Sequence, residues 1–285
     1  MTKPYETHLF LLPSRMYLPH GVSNWDGRYL QWDRGFSAGM ALLGVAVVVC
    51  SNLDGAVSVL CRALIALATT GWAVGGLFAL YRSVPRHTIA DRITTIRLGL
   101  GSAAMLLLAF AQLFAPLDSG STGFRLVVFL LLGVALLSDF LDGRVARRRE
   151  TSRFGEEWDM QNDAAFAMLL SVAAVVFVGV ESWVVVIGLA RYLFVLGVPG
   201  SHDAVHTPRP YALFGKTVCA LTVITLALVV AGGWAGTPAT LSLAAALFAT
   251  LSSFAVSIYL LRRERETTYI PASSHAPERV HTSVE

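Results

Sequence analysis

The sequence predicts an all-α integral membrane protein with about eight transmembrane helices. Of its 285 residues, 55% are hydrophobic and only 14% are charged, whereas soluble domains carry about 25% charged residues. The apolar residues fall in long runs, not in the alternating or narrow-stripe patterns of a soluble core. These runs recur at the length a bilayer requires, roughly 20 residues per helix. Helices are the only reading, because an open strand would leave backbone groups unsatisfied in lipid.

The runs are read as spans at approximately 35–52, 57–81, 92–115, 124–143, 158–180, 182–199, 211–232 and 238–261. The sixth is the shortest, and a tight turn at Val180-Glu181-Ser182 separates it from the fifth. Orientation follows the Lys/Arg bias. With the N-terminus inside, 20 of the 22 Lys and Arg residues fall on the cytoplasmic side, and only Arg62 and Arg125 fall outside. The expected arrangement is a multi-pass cell-membrane protein with both ends in the cytoplasm.

Composition divides the chain further. Residues 1–87 hold a cytoplasmic segment and two helices, expected to serve packing or assembly. Residues 88–262 hold a six-helix bundle, and 263–285 form a polar tail expected to be disordered. The first 33 residues lack the basic start, apolar core and small-residue site of a cleaved signal peptide. Cys50, Cys61 and Cys219 lie in or beside apolar runs, with no C-x-x-C pair, which indicates packing and neither a zinc site nor a disulfide framework. The net charge of +3 and the absence of a basic, aromatic cluster argue against nucleic acid as a partner. His87, His202 and His206 have no paired ligand spacing and read as loop residues.

The chemistry concentrates between the fourth and fifth spans. Asp139 and Asp142 sit at i,i+3 where the fourth span ends, and Asp159 and Asp163 at i,i+4 where the fifth begins. Each pair shares one helix face, and a short loop lets the two helices run antiparallel, so four carboxylates are expected to converge near the membrane surface. They would repel one another without a compensating charge. Hard divalent cations such as Mg²⁺, Mn²⁺ or Ca²⁺ suit carboxylates and also bind phosphate oxygens, and a metal pair can grip a pyrophosphate. Gly143 and Ala146 leave room for a ligand to approach the backbone, and Gly155 permits tight packing or a sharp turn. The plain alternative is a solvated cap with Arg147, Arg148, Arg149 and Arg153. Ionisable groups at the ends of apolar spans favour function over that alternative.

The same residues resemble the signature of the CDP-alcohol phosphotransferase (CDP-alcohol phosphatidyltransferase) family. That signature is D-x-x-D-G-x-x-A-R, a spacer of eight, then G-x-x-x-D-x-x-x-D. Here it is read at Asp139, Asp142, Gly143, Ala146, Arg147, Gly155, Asp159 and Asp163. The spacer, Arg148 to Phe154, is seven residues and so one shorter than the family's. The resemblance runs from about 88 to 262. It includes Asp91, Thr94 and Arg97 at the first-helix entry, where Asp91 replaces the family's usual Asn; helix capping and interfacial snorkelling are the competing reading of Thr94 and Arg97.

The resemblance implies that Asp139, Asp142 and Asp159 ligate metal, with Mg²⁺ or Mn²⁺ as a pair of ions. Asp163 would both contact metal and serve as general base. A cytidine diphosphate group would lie against Gly143, Ala146, Arg147, Gly155 and Thr94, while Arg153, Arg191 and Lys216 would face the acceptor. The implied partners are a CDP-linked lipid donor, a small alcohol acceptor and membrane lipids, with a homodimer left open as the assembly. The implied reaction moves a phosphatidyl group from CDP-diacylglycerol to an alcohol and releases CMP in phospholipid synthesis. The alternative within this chemistry is a CDP-amino alcohol donor with diacylglycerol as acceptor. A divalent-cation transporter is the reading from another class; it expects acids near mid-membrane on several helices, whereas these cluster at one face.

Overall fold

The computed structural model describes residues 23–52, 56–82, 89–114, 122–146, 153–198 and 209–268. Among them every regular element is helical. The helices are α1 (Ser23–Ser51), α2 (Ala56–Arg82), α3 (Ile89–Phe114), α4 (Thr122–Ala146), α5 (Arg153–Ala173), α6 (Val185–Gly197), α7 (Arg209–Gly232) and α8 (Thr237–Thr268). Each expected span therefore has its helix. Six stretches, in α1, α2, α3, α5, α7 and α8, are long and apolar enough to cross a membrane, while α4 and α6 contribute the shorter apolar stretches Gly123–Ser138 and Ser182–Gly197.

Several boundaries differ from those read in the sequence. Helix α1 begins at Ser23 instead of near 35, so its first turns include the polar residues Asp26, Arg28 and Asp33. Hydropathy finds where a helix enters lipid, not where its hydrogen bonding starts. The same reason applies to α8, which continues through Thr268, past the 262 boundary set for the bundle. Its last turns carry Arg262, Arg263, Glu264, Arg265 and Glu266, strong helix formers that carry the helix on beyond the apolar run.

Helix α5 is the axis of the bundle. It packs against α2, α3, α6 and α7, and its residues from Ala164 to Val176 are buried almost without interruption. Around it α1 lies on α2 and α6, α3 on α2 and α4, and α7 on α4 and α8. Helix α8 is peripheral: only 6% of its best membrane window is buried, against 78% for α5. At its far end α5 widens into a π-turn, Ala174–Val178, and stops at Gly179, whose φ of 80° lies in the left-handed region. Glycine takes that conformation without strain. The chain then reverses through Val180 and Glu181 into a 3₁₀ turn, Ser182–Val184, that leads into α6.

The α5–α6 hairpin is unusually close at one point. A Cβ added at Gly188 would lie 2.6 Å from the Met168 Cα and 2.9 Å from the Ser171 Oγ. The first of these is backbone and cannot swing aside. Small residues at helix crossings allow this approach in membrane proteins. Gly188→Ala should therefore push α6 off α5 and lower stability by about 1–3 kcal/mol, the usual cost of overpacking. Gly99→Ala, where no atom lies within 4 Å of the added Cβ, should be neutral or slightly stabilising. Thermal unfolding of the two variants in detergent checks the contrast.

Candidate active site

One end of the bundle gathers the starts of α1, α3 and α5 and the ends of α2, α4 and α6. Packing there is dense. Trp158, in the first turns of α5, is buried; its indole N–H donates to the Asp91 carbonyl at 3.2 Å, and its ring lies 5.4 Å from that of Tyr81 on α2. The Asn162 amide donates back to the Trp158 carbonyl at 2.7 Å. These contacts seat the entry of α5 between α2 and α3.

On this seat Asp159 and Asp163 are brought together by Arg97 of α3. The Arg97 Nη2 lies 3.0 Å from Asp159 Oδ1 and 2.7 Å from Asp163 Oδ1. The guanidinium side chain is only 2% exposed, while Asp159 and Asp163 are 52% and 34% exposed. Arg97 therefore does not snorkel to the interface. It reaches inward from α3 and lies beneath the carboxylates, whose other sides face outward. The i,i+4 spacing does what the sequence predicts: both Oδ1 atoms fall on one helix face and within hydrogen-bonding distance of a single nitrogen.

That shared nitrogen tests whether the residues suit a cation. Two carboxylate oxygens already converge on one positively charged atom, and both aspartates remain partly exposed. Hard oxygen donors of this kind suit Mg²⁺ or Mn²⁺. The described residues assemble no group of three or more His, Cys, Asp or Glu side chains. Asp139 and Asp142 lie in the last turns of α4, which packs on α3 as α5 does, but their side chains are outside the described residues.

The remaining expected residues are distributed as follows. Gly143 and Ala146 lie in the final turn of α4, and Arg153 and Gly155 in the first turn of α5. Arg147 and the loop histidines His87, His202 and His206 fall outside the described residues. Thr94 is buried on α3, one turn from both Asp91 and Arg97. Lys216 is exposed on α7, beside a groove of about 290 Å³ that Tyr211, Phe214, Ser253 and Ser257 also line. Arg191 is on α6, turned toward Asp33 of α1, with 3.9 Å between Nη2 and Oδ2.

A family model for the CDP-alcohol phosphatidyltransferases matches residues 87–255, more than half of the chain. The chain belongs to the CDP-alcohol phosphatidyltransferase family. It is thus a multi-pass membrane transferase for substituted phosphate groups, not a cation transporter; the family uses a CDP-alcohol donor and an alcohol acceptor, and its members are generally divalent-metal dependent. The match gives no support for the homodimer. Comparison with curated proteins gives no match, and neither does comparison with solved structures. Helices α1 and α2 both precede the part of this phosphatidyltransferase that the family model covers.

Sequence reasoning missed a second polar group at this end. Tyr29, Asp33 and Gln161 are buried, and the Gln161 amide donates to both Asp33 and Tyr29. A signal was present: Tyr29, Asp33, Phe36, Met40 and Val47 recur at helical spacing and all are buried. Asp33 therefore sits on an inward stripe, although it lies just before the apolar run.

The Arg97 geometry makes a prediction about stability. Arg97→Gln should leave the carboxylate pair without its buried counter-charge and lower stability in chelator by about 1.5–3 kcal/mol, the range for hydrogen bonds to charged groups. Added Mn²⁺ should stabilise the variant more than the parent, because it replaces the missing positive charge. Paired thermal unfolding curves with chelator and with Mn²⁺ check it.

Proposed function

We propose that this chain transfers a phosphatidyl group from CDP-diacylglycerol to the hydroxyl of a small water-soluble alcohol, releasing CMP, at the cytoplasmic membrane face. The convergence of Asp159 and Asp163 on one cationic atom, inside a chain with the full set of signature residues, is the observation that carries this reading. Asp139, Asp142, Asp159 and Asp163 hold Mg²⁺ or Mn²⁺. The bound cations supply neutralisation of the pyrophosphate and of the charge that develops on the departing phosphate.

The chain's own residues do the rest. Gly143, Ala146 and Gly155 offer bare backbone to the cytidine diphosphate, with Arg147 and Thr94 as its polar contacts. Asp163 accepts the proton of the acceptor hydroxyl. The freed oxygen attacks the phosphorus that carries the diacylglycerol, a new P–O bond forms, and the bond to the CMP oxygen breaks. Holding donor and acceptor together at the bundle end removes the translational cost of their meeting. Of the basic residues assigned to the acceptor, Lys216 has an open groove beside it, and Arg153 is the first residue of α5, the helix that carries Asp159 and Asp163. The cytoplasmic orientation rests on the Lys/Arg distribution.

Purified protein given CDP-diacylglycerol, Mg²⁺ or Mn²⁺ and a panel of alcohols should release CMP with one acceptor class, and a chelator should abolish that release. Asp163→Asn should lose about 10²–10⁴-fold in turnover, the range for loss of a general base, and still bind donor. Asp142→Asn should instead weaken metal-dependent donor binding. Near-normal turnover by Asp163→Asn would overturn the assignment of the base.

Orientation has its own check. Thr151→Cys, in the signature loop, should react with a membrane-impermeant thiol reagent only after cells are opened. Labelling in intact cells would place the site on the opposite side.

A further inference from the structure

Helix α1, outside the part covered by the family model, places a fully buried carboxylate inside the bundle. Asp33 is 0% exposed. Its Oδ1 accepts a hydrogen bond from the Gln161 amide at 2.7 Å and, more weakly, from the Ser37 hydroxyl at 3.5 Å. Its Oδ2 faces the Arg191 guanidinium of α6 at 3.9 Å. The Gln161 amide nitrogen also donates to the Tyr29 hydroxyl at 3.1 Å. One carboxylate thus links α1, α5 and α6.

Gln161 is the telling member of this group. It is completely buried, and it lies midway in sequence between Asp159 and Asp163. Residues two apart on an α-helix point about 200° away from each other, so Gln161 leaves α5 on the side opposite the two carboxylates. Fixing that side to α1 fixes the rotation of the helix. A side-chain tip stands about 5–6 Å from a helix axis, so a turn of about 10° shifts it by about 1 Å. Misplacement on that scale can cost about 10²-fold in rate.

Stability alone does not explain the arrangement. Buried ion pairs commonly contribute no more than well-packed apolar side chains of similar volume, and fixing register is their best-attested use. We propose that Asp33 is a positioning residue: by holding Gln161, with the Arg191 charge facing it, it sets the rotation and depth of α5, and hence where Asp159 and Asp163 present their oxygens. Helix α1 is then part of the working unit, not only a packing element. This inference rests on the reading of Asp159 and Asp163 as metal ligands.

The test uses the full chain and measures Mn²⁺ binding without donor by electron paramagnetic resonance, alongside turnover. Asp33→Leu should weaken Mn²⁺ binding about 10–100-fold, the size of effect seen when a group that orients metal ligands is lost. Asp33→Asn, which keeps an oxygen for Gln161, should recover most of that loss. Because Asp33→Leu strands the Arg191 charge and can fail to fold, Gln161→Leu serves as the second variant; it breaks the same link without leaving a charge unpaired and should weaken Mn²⁺ binding likewise. Met40→Ala, equally buried on α1, should lose stability with Mn²⁺ affinity unmoved. Wild-type Mn²⁺ affinity in folded Gln161→Leu, or a matching loss in Met40→Ala, would overturn the proposal. Asp159→Asn separates the two levels. If it too binds Mn²⁺ like the parent, the metal reading falls and the proposal with it; if it loses binding while the Asp33 and Gln161 variants do not, only the positioning role falls.

Discussion

Carrying two carboxylates on the entry turns of the most buried helix in a membrane bundle creates an electrostatic problem, and Arg97 is the answer the structure gives. Its guanidinium is sealed beneath Asp159 and Asp163, which keep their outer sides exposed. The cost of burying that charge is offset by two charge-assisted hydrogen bonds at once. Much of the local architecture serves this placement. Trp158 anchors the start of α5, and α3 carries Asp91, Thr94 and Arg97 on one buried face. Substituting Trp158 would act on the carboxylates through the helix that bears them.

The bundle end has a second layer of the same logic on the opposite flank of α5. There the charges are reversed in origin: the carboxylate Asp33 comes from the neighbouring helix, and Gln161 and Arg191 answer it. Helix α5 is thus gripped through polar contacts from both α1 and α3 near its start, while its later turns are held by apolar packing and by the close approach at Gly188. Polar contacts are directional and fix rotation; apolar contacts fix distance and resist separation. Combining them along one helix gives a fixed end for chemistry and a tightly packed end for anchorage.

Much of this could be read from the chain alone. All eight spans were visible as apolar runs, because the bilayer imposes a length and a composition that leave little choice. The pairing of Asp159 with Asp163 followed from helical spacing. Arg97 was harder. On sequence it fitted equally a motif position and a residue reaching for the interface, and only the packing of α3 on α5 separates an inward arginine from an outward one. Asp33 was hidden by the method itself, since a hydropathy reading starts a span at its first apolar residue and so discards the polar turns before it. Gln161 was overlooked for a related reason: beside two aspartates an amide looks incidental, and its burial depends on a helix more than a hundred residues away in sequence.

The contrast between α5 and α8 has a consequence for how this chain can change over time. Helix α8 buries few of its residues fully and turns one side outward to lipid, and lipid tails are fluid and adapt to any shape. Along α8, residues such as Leu241, Phe248 and Tyr259 answer mainly to a demand for hydrophobicity and length, and one apolar residue can replace another with little effect. Along α5 each side chain fills a space bounded by neighbouring helices, where the loss or gain of a methylene is felt. Two helices of one bundle are therefore held to very different degrees. Sequence divergence within this architecture should accumulate in the peripheral helix and stall in the central one, leaving the turns around Trp158 to Asp163 as the slowest part to change.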